Sequence, residues 1–326
     1  MKRFRKIFCF LCCLLMLSSI SMVRAHASDT VIIVPSSEPV IIIEDGSLPE
    51  EEEAPVRVYE AQPGWSQNTL ASDSLGSITS GSEAAEAPVF GSSIRRCEIS
   101  SVLFTDSVRD MPNDAWDVSA TYDRSVMAWA TPDGNRLYEL TIAAEGGVKA
   151  PQDCSDLFFG YTKLRSIRFG SAFHTDDVTN MDHMFSYCLS LSRLDLSSFS
   201  TSKVTNMSYM FAGCGTSSLD VSSFQTSQVR DMSLMFAVSG LLSLDLSSFD
   251  TANVTSMYGM FDSCDKLAEL NVRSFNTANV TDRSWMFNGC TALRDLDLSS
   301  FNTAKVTSYN NFMPDELNPN WRSLFE

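Results

Sequence analysis

Carboxylates return at a fixed interval in the C-terminal half of this chain: Asp195, Asp220, Asp245 and Asp297, with Asn271 filling the remaining place in the column. Acidic residues stacked at one spacing repel one another, so something must offset the charge. Either they accept hydrogen bonds from the Ser and Thr beside them, as short Asp side chains readily do, or they hold calcium, a hard cation that favours oxygen ligands. Hydrogen bonding is the favoured reading. A second polar column, Ser200, Gln225, Asp250, Asn276 and Asn302, follows a recurring Phe and varies from copy to copy. It suits a contact surface or an ordinary solvated loop edge equally well.

Six cysteines lie beyond the N-terminal apolar run: Cys97, Cys154, Cys188, Cys214, Cys264 and Cys290. The last four share one repeat position, where the other copies carry Tyr161 and Ser239. Stacked residues about 4.8 Å apart fall within disulfide reach, which makes Cys188–Cys214 and Cys264–Cys290 candidate bridges. A ladder of small buried thiols is the favoured alternative, and Cys97 with Cys154 is a weaker pair. With no CxxC and no clustered His, the spacing does not suggest zinc, and no cofactor is expected. His174 and His183 have no motif around them, and the many Ser sit in columns rather than in a GxSxG turn, so no enzyme is expected. The formal charge of −16 speaks against a nucleic-acid partner, whose phosphates need a basic footprint.

These columns exist because one unit of about 26 residues is written six times between Leu157 and Met313. The register runs through Leu157, Met184, Met210, Met235, Met260, Met286 and Phe312, at gaps of 25 to 27 residues. Apolar residues keep their places in that frame: Leu194, Leu219, Leu244, Leu270 and Leu296; Phe199, Phe224, Phe249, Phe275 and Phe301; Val204, Val229, Val254, Val280 and Val306. One copy has too few apolar side chains to offset its own ordering entropy, whereas stacked copies bury one another's faces.

Within a copy, LxxLDLSSF alternates and reads as a short strand with the Asp outward. The later part, VTxMxxMF, spaces Val204, Met207, Met210 and Phe211 by three, three and one, which predicts a short helix. The expected fold is therefore an α/β repeat solenoid of leucine-rich-repeat type, with one short strand and one short helix per coil. Asn206, Asn253 and Asn279 each begin an N-x-S/T triplet, which the repeat itself generates, and they are read as architectural.

Upstream, residues 1–27 read as an export signal: Lys2, Arg3, Arg5 and Lys6, an apolar run from Ile7 to Met22, then Ala25-His26-Ala27. Its removal leaves a more acidic product in which no later apolar run is long enough to span a membrane. Residues 28–93, with six Pro and the acidic run Glu50–Glu53, read as a disordered stalk, with Val31–Val34 and Val40–Ile43 as short apolar bursts within it. Residues 94–156 are expected to form a small β-rich N-terminal cap, with strands at Ser100–Phe104, Ser125–Trp129 and Leu137–Ile142 and a turn at Thr131-Pro132-Asp133-Gly134. The solenoid then occupies 157–313. The tail, 314–326, is short for a C-terminal cap and carries no wall-sorting signal.

The copies LDLSSFSTSKVTNMSYMFAGC and LDLSSFDTANVTSMYGMFDSC, and the segment from Ser125 to Phe158 ahead of them, resemble the BspA-like leucine-rich-repeat surface proteins of host-associated bacteria. The resemblance spans roughly residues 115–313. It implies a secreted or surface-displayed protein whose solenoid face meets host extracellular matrix, host cells or other bacteria. A spacer protein with inert columns is the second reading, and a secreted hydrolase with an unrecognised site the third.

Overall fold

The computed structural model of the chain describes residues 68–73, 75 and 80–314. The expected signal peptide, most of the stalk with its two apolar bursts, and the tail beyond Pro314 lie outside the described residues.

The N-terminal module is a mixed sheet. Its strands are β1 (Ile99–Thr105), β2 (Trp116–Asp117), β3 (Met127–Pro132) and β4 (Tyr138–Ala143). β3 and β4 pair antiparallel from Met127↔Ala143 to Pro132↔Tyr138. The turn between them is closed by Asp133 Oδ1, which accepts from the N–H of Asn135 at 2.7 Å and of Leu137 at 3.2 Å. β1 is buried on one face through Ile99, Val102 and Phe104, and it runs parallel to β4.

A free β1 edge would leave a row of unpaired backbone groups. It is covered by the repeats themselves: β6 (Ser166–Arg168) pairs with β1, and β8 (Arg193–Leu194) pairs with β6, all parallel. β5 (Val148–Lys149) pairs with β7 (Phe173–His174), and further along the stack β9 (Ser243–Asp245) pairs with β10 (Glu269–Asn271). The first coil thus continues a sheet that the N-terminal module has already begun.

Packing begins earlier than the composition suggested. Thr69 bridges Lys149 and Leu70 bridges Ser119, while α1 (Gly81–Glu86) is capped by Ser80 and buries Ala84 and Ala85. Residues 68–73 and 80–93, read above as stalk, are therefore part of the fold. Leu70, Val89 and Ala84 find a ready apolar surface to bury, which an isolated segment would lack.

The expected α/β solenoid with a helix in every coil is overturned. Among the described residues, α1 and a 3₁₀ turn at Arg96–Glu98 are the only helical pieces, and both precede the repeats. Two residues per coil stand in the left-handed region, where a right-handed helix cannot continue. One column is His183, Tyr209, Leu234, Gly259 and Trp285, at φ of 55° to 65°; the other is Tyr187, Gly213, Val238, Ser263 and Gly289.

The backbone groups a helix would satisfy internally are paired between coils instead. The N–H groups of Met207, Tyr209 and Phe211 donate to the carbonyls of Asp231, Ser233 and Met235 in the next coil. The alternate N–H groups of Met210, Ala212 and Cys214 close turns onto Met207, Tyr209 and Phe211 within their own coil. Parallel bridges join Asp153, Asn180, Asn206, Asp231, Ser256, Asp282 and Ser308 in one continuous row. Each copy is thus a helix-free coil, hydrogen bonded to its neighbours on the side where a helix was expected, while on the opposite side strand pairing between described copies is limited to β6 with β8 and β9 with β10.

The core is a set of side-chain ladders. Phe158, Phe185, Phe211, Phe236, Phe261 and Phe287 stack at centroid spacings of 5.5 to 5.7 Å with rings within 9° of parallel. Phe224 on Phe249 and Phe275 on Phe301 stack in the second column. Met181, Met207, Met232 and Met257 are fully buried beside them, and Arg283 takes the next place in that column.

Candidate functional site

The strand side of four consecutive coils forms a groove of about 1520 Å³, lined by stretches 218–222, 243–248, 268–273 and 294–299 and ending at Met313. The lining, which includes the short strands β9 and β10, is held because its inward residues, Leu219, Val221, Leu244, Leu246, Leu270 and Val272, are buried in the coil core. The residues between them, Asp220, Asp245 and Asn271, are left facing outward.

Each of these acidic residues makes a turn rather than standing free. Asp195, Asp220, Asp245 and Asp297 accept through Oδ1 from the N–H of Ser197, Ser222, Ser247 and Ser299, all at 3.0 Å. Asn271 does the same for Arg273 at 3.3 Å. The serine two places on holds each of the four carboxyls below the usual range, with the hydroxyl the larger influence at Asp195, Asp220 and Asp297 and the backbone N–H at Asp245. Neighbouring coils add Asn271 Nδ2 to Asp245 Oδ1 at 2.9 Å and Arg273 Nε to Asp297 Oδ2 at 3.0 Å. The column's charge is offset by local donors. Among the described residues, no three His, Cys, Asp or Glu side chains converge to hold a metal ion.

The groove gathers Asp220, Asp245, Asn271 and Asp297, whereas Asp195 lies apart in a small recess with Gly170, Ser171, Ser197 and Ser198. Asp295, Glu269, Arg273 and Arg294 also line it and were not singled out from the sequence. The surface is a mixed one, with acids in excess of two arginines and serines between them.

The column after each Phe is placed differently. Gln225, Asp250, Asn276 and Asn302 expose their side chains, Ser200 is half-buried, and none of the five lines the groove. Their backbones are clamped by a buried threonine from the preceding coil. Thr201 Oγ1 accepts from Gln225 N–H at 2.7 Å and donates to Gln225 O at 3.2 Å. Thr175, Thr226, Thr251 and Thr277 treat Ser200, Asp250, Asn276 and Asn302 in the same way. The available signal was a Thr two places after the Phe in every copy, as at Thr201, Thr226 and Thr251.

The proposed bridges Cys188–Cys214 and Cys264–Cys290 do not form, and all six cysteines are free. The thiols of Cys188, Cys264 and Cys290 donate instead to the carbonyls of Phe158, Phe236 and Phe261. That contact directs each sulfur to backbone rather than to its neighbour in the column. Burial pushes the thiols up, Cys214 to about 11, so they are poor nucleophiles. Cys97 and Cys154 are likewise not joined by a disulfide, their thiols donating to Glu86 Oε1 and the Pro151 carbonyl. His183 is occupied by Asp182, 2.9 Å from Nδ1, and by the Tyr209 ring, while His174 lies in β7.

No helix among the described residues is long and apolar enough to cross a membrane. No curated protein and no solved structure matches the chain. Two overlapping stretches, 148–239 and 214–321, match the family described as Mycoplasma protein of unknown function, DUF285. Together they run from β5 through every coil and cover more than half of the sequence, and on that ground the chain belongs to the DUF285 family.

Proposed function

We propose that this protein is an exported, surface-displayed bacterial binding module of the BspA-like kind, an adhesin that holds a protein or cell-surface ligand along its strand-side groove. One observation carries the reading. Asp220, Asp245, Asn271 and Asp297, with Arg273 and Arg294, line one open groove that crosses four coils. An extended face with regularly spaced polar groups on a rigid stack suits an elongated ligand better than a compact small molecule. The basic start, apolar run and Ala25-His26-Ala27 of the N-terminus support export, and the repeat wording supports the BspA-like relation.

The test is binding of the full-length chain to immobilised extracellular-matrix proteins and to intact bacterial cells. Saturable binding that weakens about tenfold or more in the Asp220→Lys, Asp245→Lys double variant is expected, since rim charges govern recognition. Absence of saturable binding to any of them, or binding indifferent to both substitutions, would replace this reading with that of a structural spacer.

A further inference from the structure

The row of left-handed residues described above puts large side chains where they are costly. His183, Tyr209, Leu234 and Trp285 hold φ between 55° and 65°, a conformation that glycine or asparagine fills with less strain. At Gly259 the same place is taken by glycine, and a Cβ there would come within 2.7 Å of Leu234 Cδ2. A stability argument alone would favour Gly throughout, and side chains kept at strained positions point to use.

These residues gather on one face. His183 stacks on Tyr209 at 4.2 Å, and the Tyr209 hydroxyl is pushed up by burial and by the nearby Tyr258, Asp182, Asp231 and Tyr187. Tyr187 is 42 % exposed, Tyr258 37 %, Trp285 37 % and Val238 62 %. The chain already seats a segment of itself at the N-terminal end of this face. Gly81 of α1 lies so close to the Tyr187 ring that a Cβ there would collide with it, and Ala84 of α1 packs against Gly160. Beyond α1 the same face continues over the next coils, and among the described residues no further segment lies over Val238, Tyr258 and Trp285, which stay partly exposed.

We propose that this aromatic ridge is a second docking surface, separate from the groove, and that its occupant is an arginine- or lysine-bearing segment of a partner protein. Two observations fix the occupant. The face is continuous with one on which a polypeptide segment already sits. It is also flanked by the half-exposed carboxylates of Asp182, Asp231, Asp262 and Asp282 on a chain of formal charge −16. Aromatic faces beside carboxylates attract guanidinium and ammonium groups by cation–π and ionic contacts together.

The experiment measures the affinity of a fluorescein-labelled octa-arginine peptide for the full-length chain by anisotropy, with octa-glutamate as control. Two variants separate chemistry from folding. Trp285→Ala removes an exposed ring, and Asp231→Asn with Asp282→Asn removes charge while keeping the turn that Asn180 and Asn206 already make at that place. Saturable binding is expected, weakened about tenfold by each variant, with unchanged far-ultraviolet dichroism and with the groove substitution Asp245→Asn affecting it less than twofold. Equal loss in the groove variant, indifference to the ridge variants, or absence of saturable binding would overturn the proposal. So would a dimer in sedimentation that Trp285→Ala converts to monomer, which would assign the ridge to a second copy of this chain.

Discussion

Two guanidinium groups among the described residues are closed to solvent, Arg96 at the entry to the stack and Arg283 near its far end, and they are served differently. Arg96 Nη1 donates to the carbonyls of Asp156 at 2.7 Å and Phe159 at 2.8 Å, and Nη2 reaches the Asp73 carboxylate at 2.8 Å. The Tyr161 ring lies 5.4 Å away. Arg283 occupies the place of Met181, Met207, Met232 and Met257 but pairs with no carboxylate among the described residues. Nη2 meets the carbonyls of Thr277 and Asn302 and the Phe301 ring lies at 5.3 Å; among the described residues Nη1 has no partner, and neither does Nε, as is also true of Arg96 Nε. Burial pulls the Arg283 guanidinium down to about 10. The same side chain is a clasp where the chain supplies a counter-charge, and a burden where it does not.

The comparison breaks most visibly at the clasp. Arg96→Met should lower stability by about 3–5 kcal/mol, because Asp73 is left buried without its partner. A fall in the urea midpoint with early loss of protection around α1 is the expected signature. At the far end the sign reverses: Arg283→Met restores the column residue and should raise stability by roughly 1–4 kcal/mol. A lower midpoint would show that the two carbonyl contacts outweigh the buried charge. Smaller than either is Thr226→Val, a near-isosteric change that strips both the donor and the acceptor from the Asp250 backbone, at about 1–3 kcal/mol.

Asp73 sharpens the same contrast through pH. Burial raises its carboxyl to about 6 in spite of Arg96. An acid raised in the folded state takes up a proton on folding, so its contribution is fully present below the ordinary value near 3.8 and is lost as pH rises through 6. The depressed carboxyls of Asp195, Asp220, Asp245 and Asp297 contribute stability that is present above their ordinary value and is lost as pH falls through it. The urea midpoint is therefore expected to rise as pH falls from 7 to about 4.5, and Asp73→Asn should flatten the slope. The smallest effect belongs to the surface: Asp245→Ala removes the hydrogen bonds from Ser247 and Asn271 at a fully exposed carboxylate and should lower the urea midpoint least of all these variants.

The repeats also show which features a sequence declares. Columns of Leu, Phe and Val announce stacking because burial repeats in every copy, and the Asp-x-Ser spacing at Asp195, Asp220, Asp245 and Asp297 carries the local turn on its face. The helix was misread for a physical reason. Val204, Met207, Met210 and Phe211 sit at spacings that a helix buries on one face, but turns closed every three residues bury the same set. What separates the two is the left-handed backbone at Tyr209, and glycine marks it only at Gly259. The groove's arginines were hidden for another reason: Arg273 and Arg294 occupy different places in their copies, so no column draws attention to them. Arg96 and Asp73 pair across a stretch whose composition resembles a linker, and nothing local announces the contact.

The central claim is that neighbouring coils, not helices, satisfy the backbone of the VTxMxxMF segment. Scalar couplings across hydrogen bonds in a deuterated sample test it most directly. Couplings from the Tyr209 N–H to the Ser233 carbonyl and from the Phe211 N–H to the Met235 carbonyl are expected. Couplings within residues 204–211 running from each N–H to the carbonyl four residues before it would contradict the account.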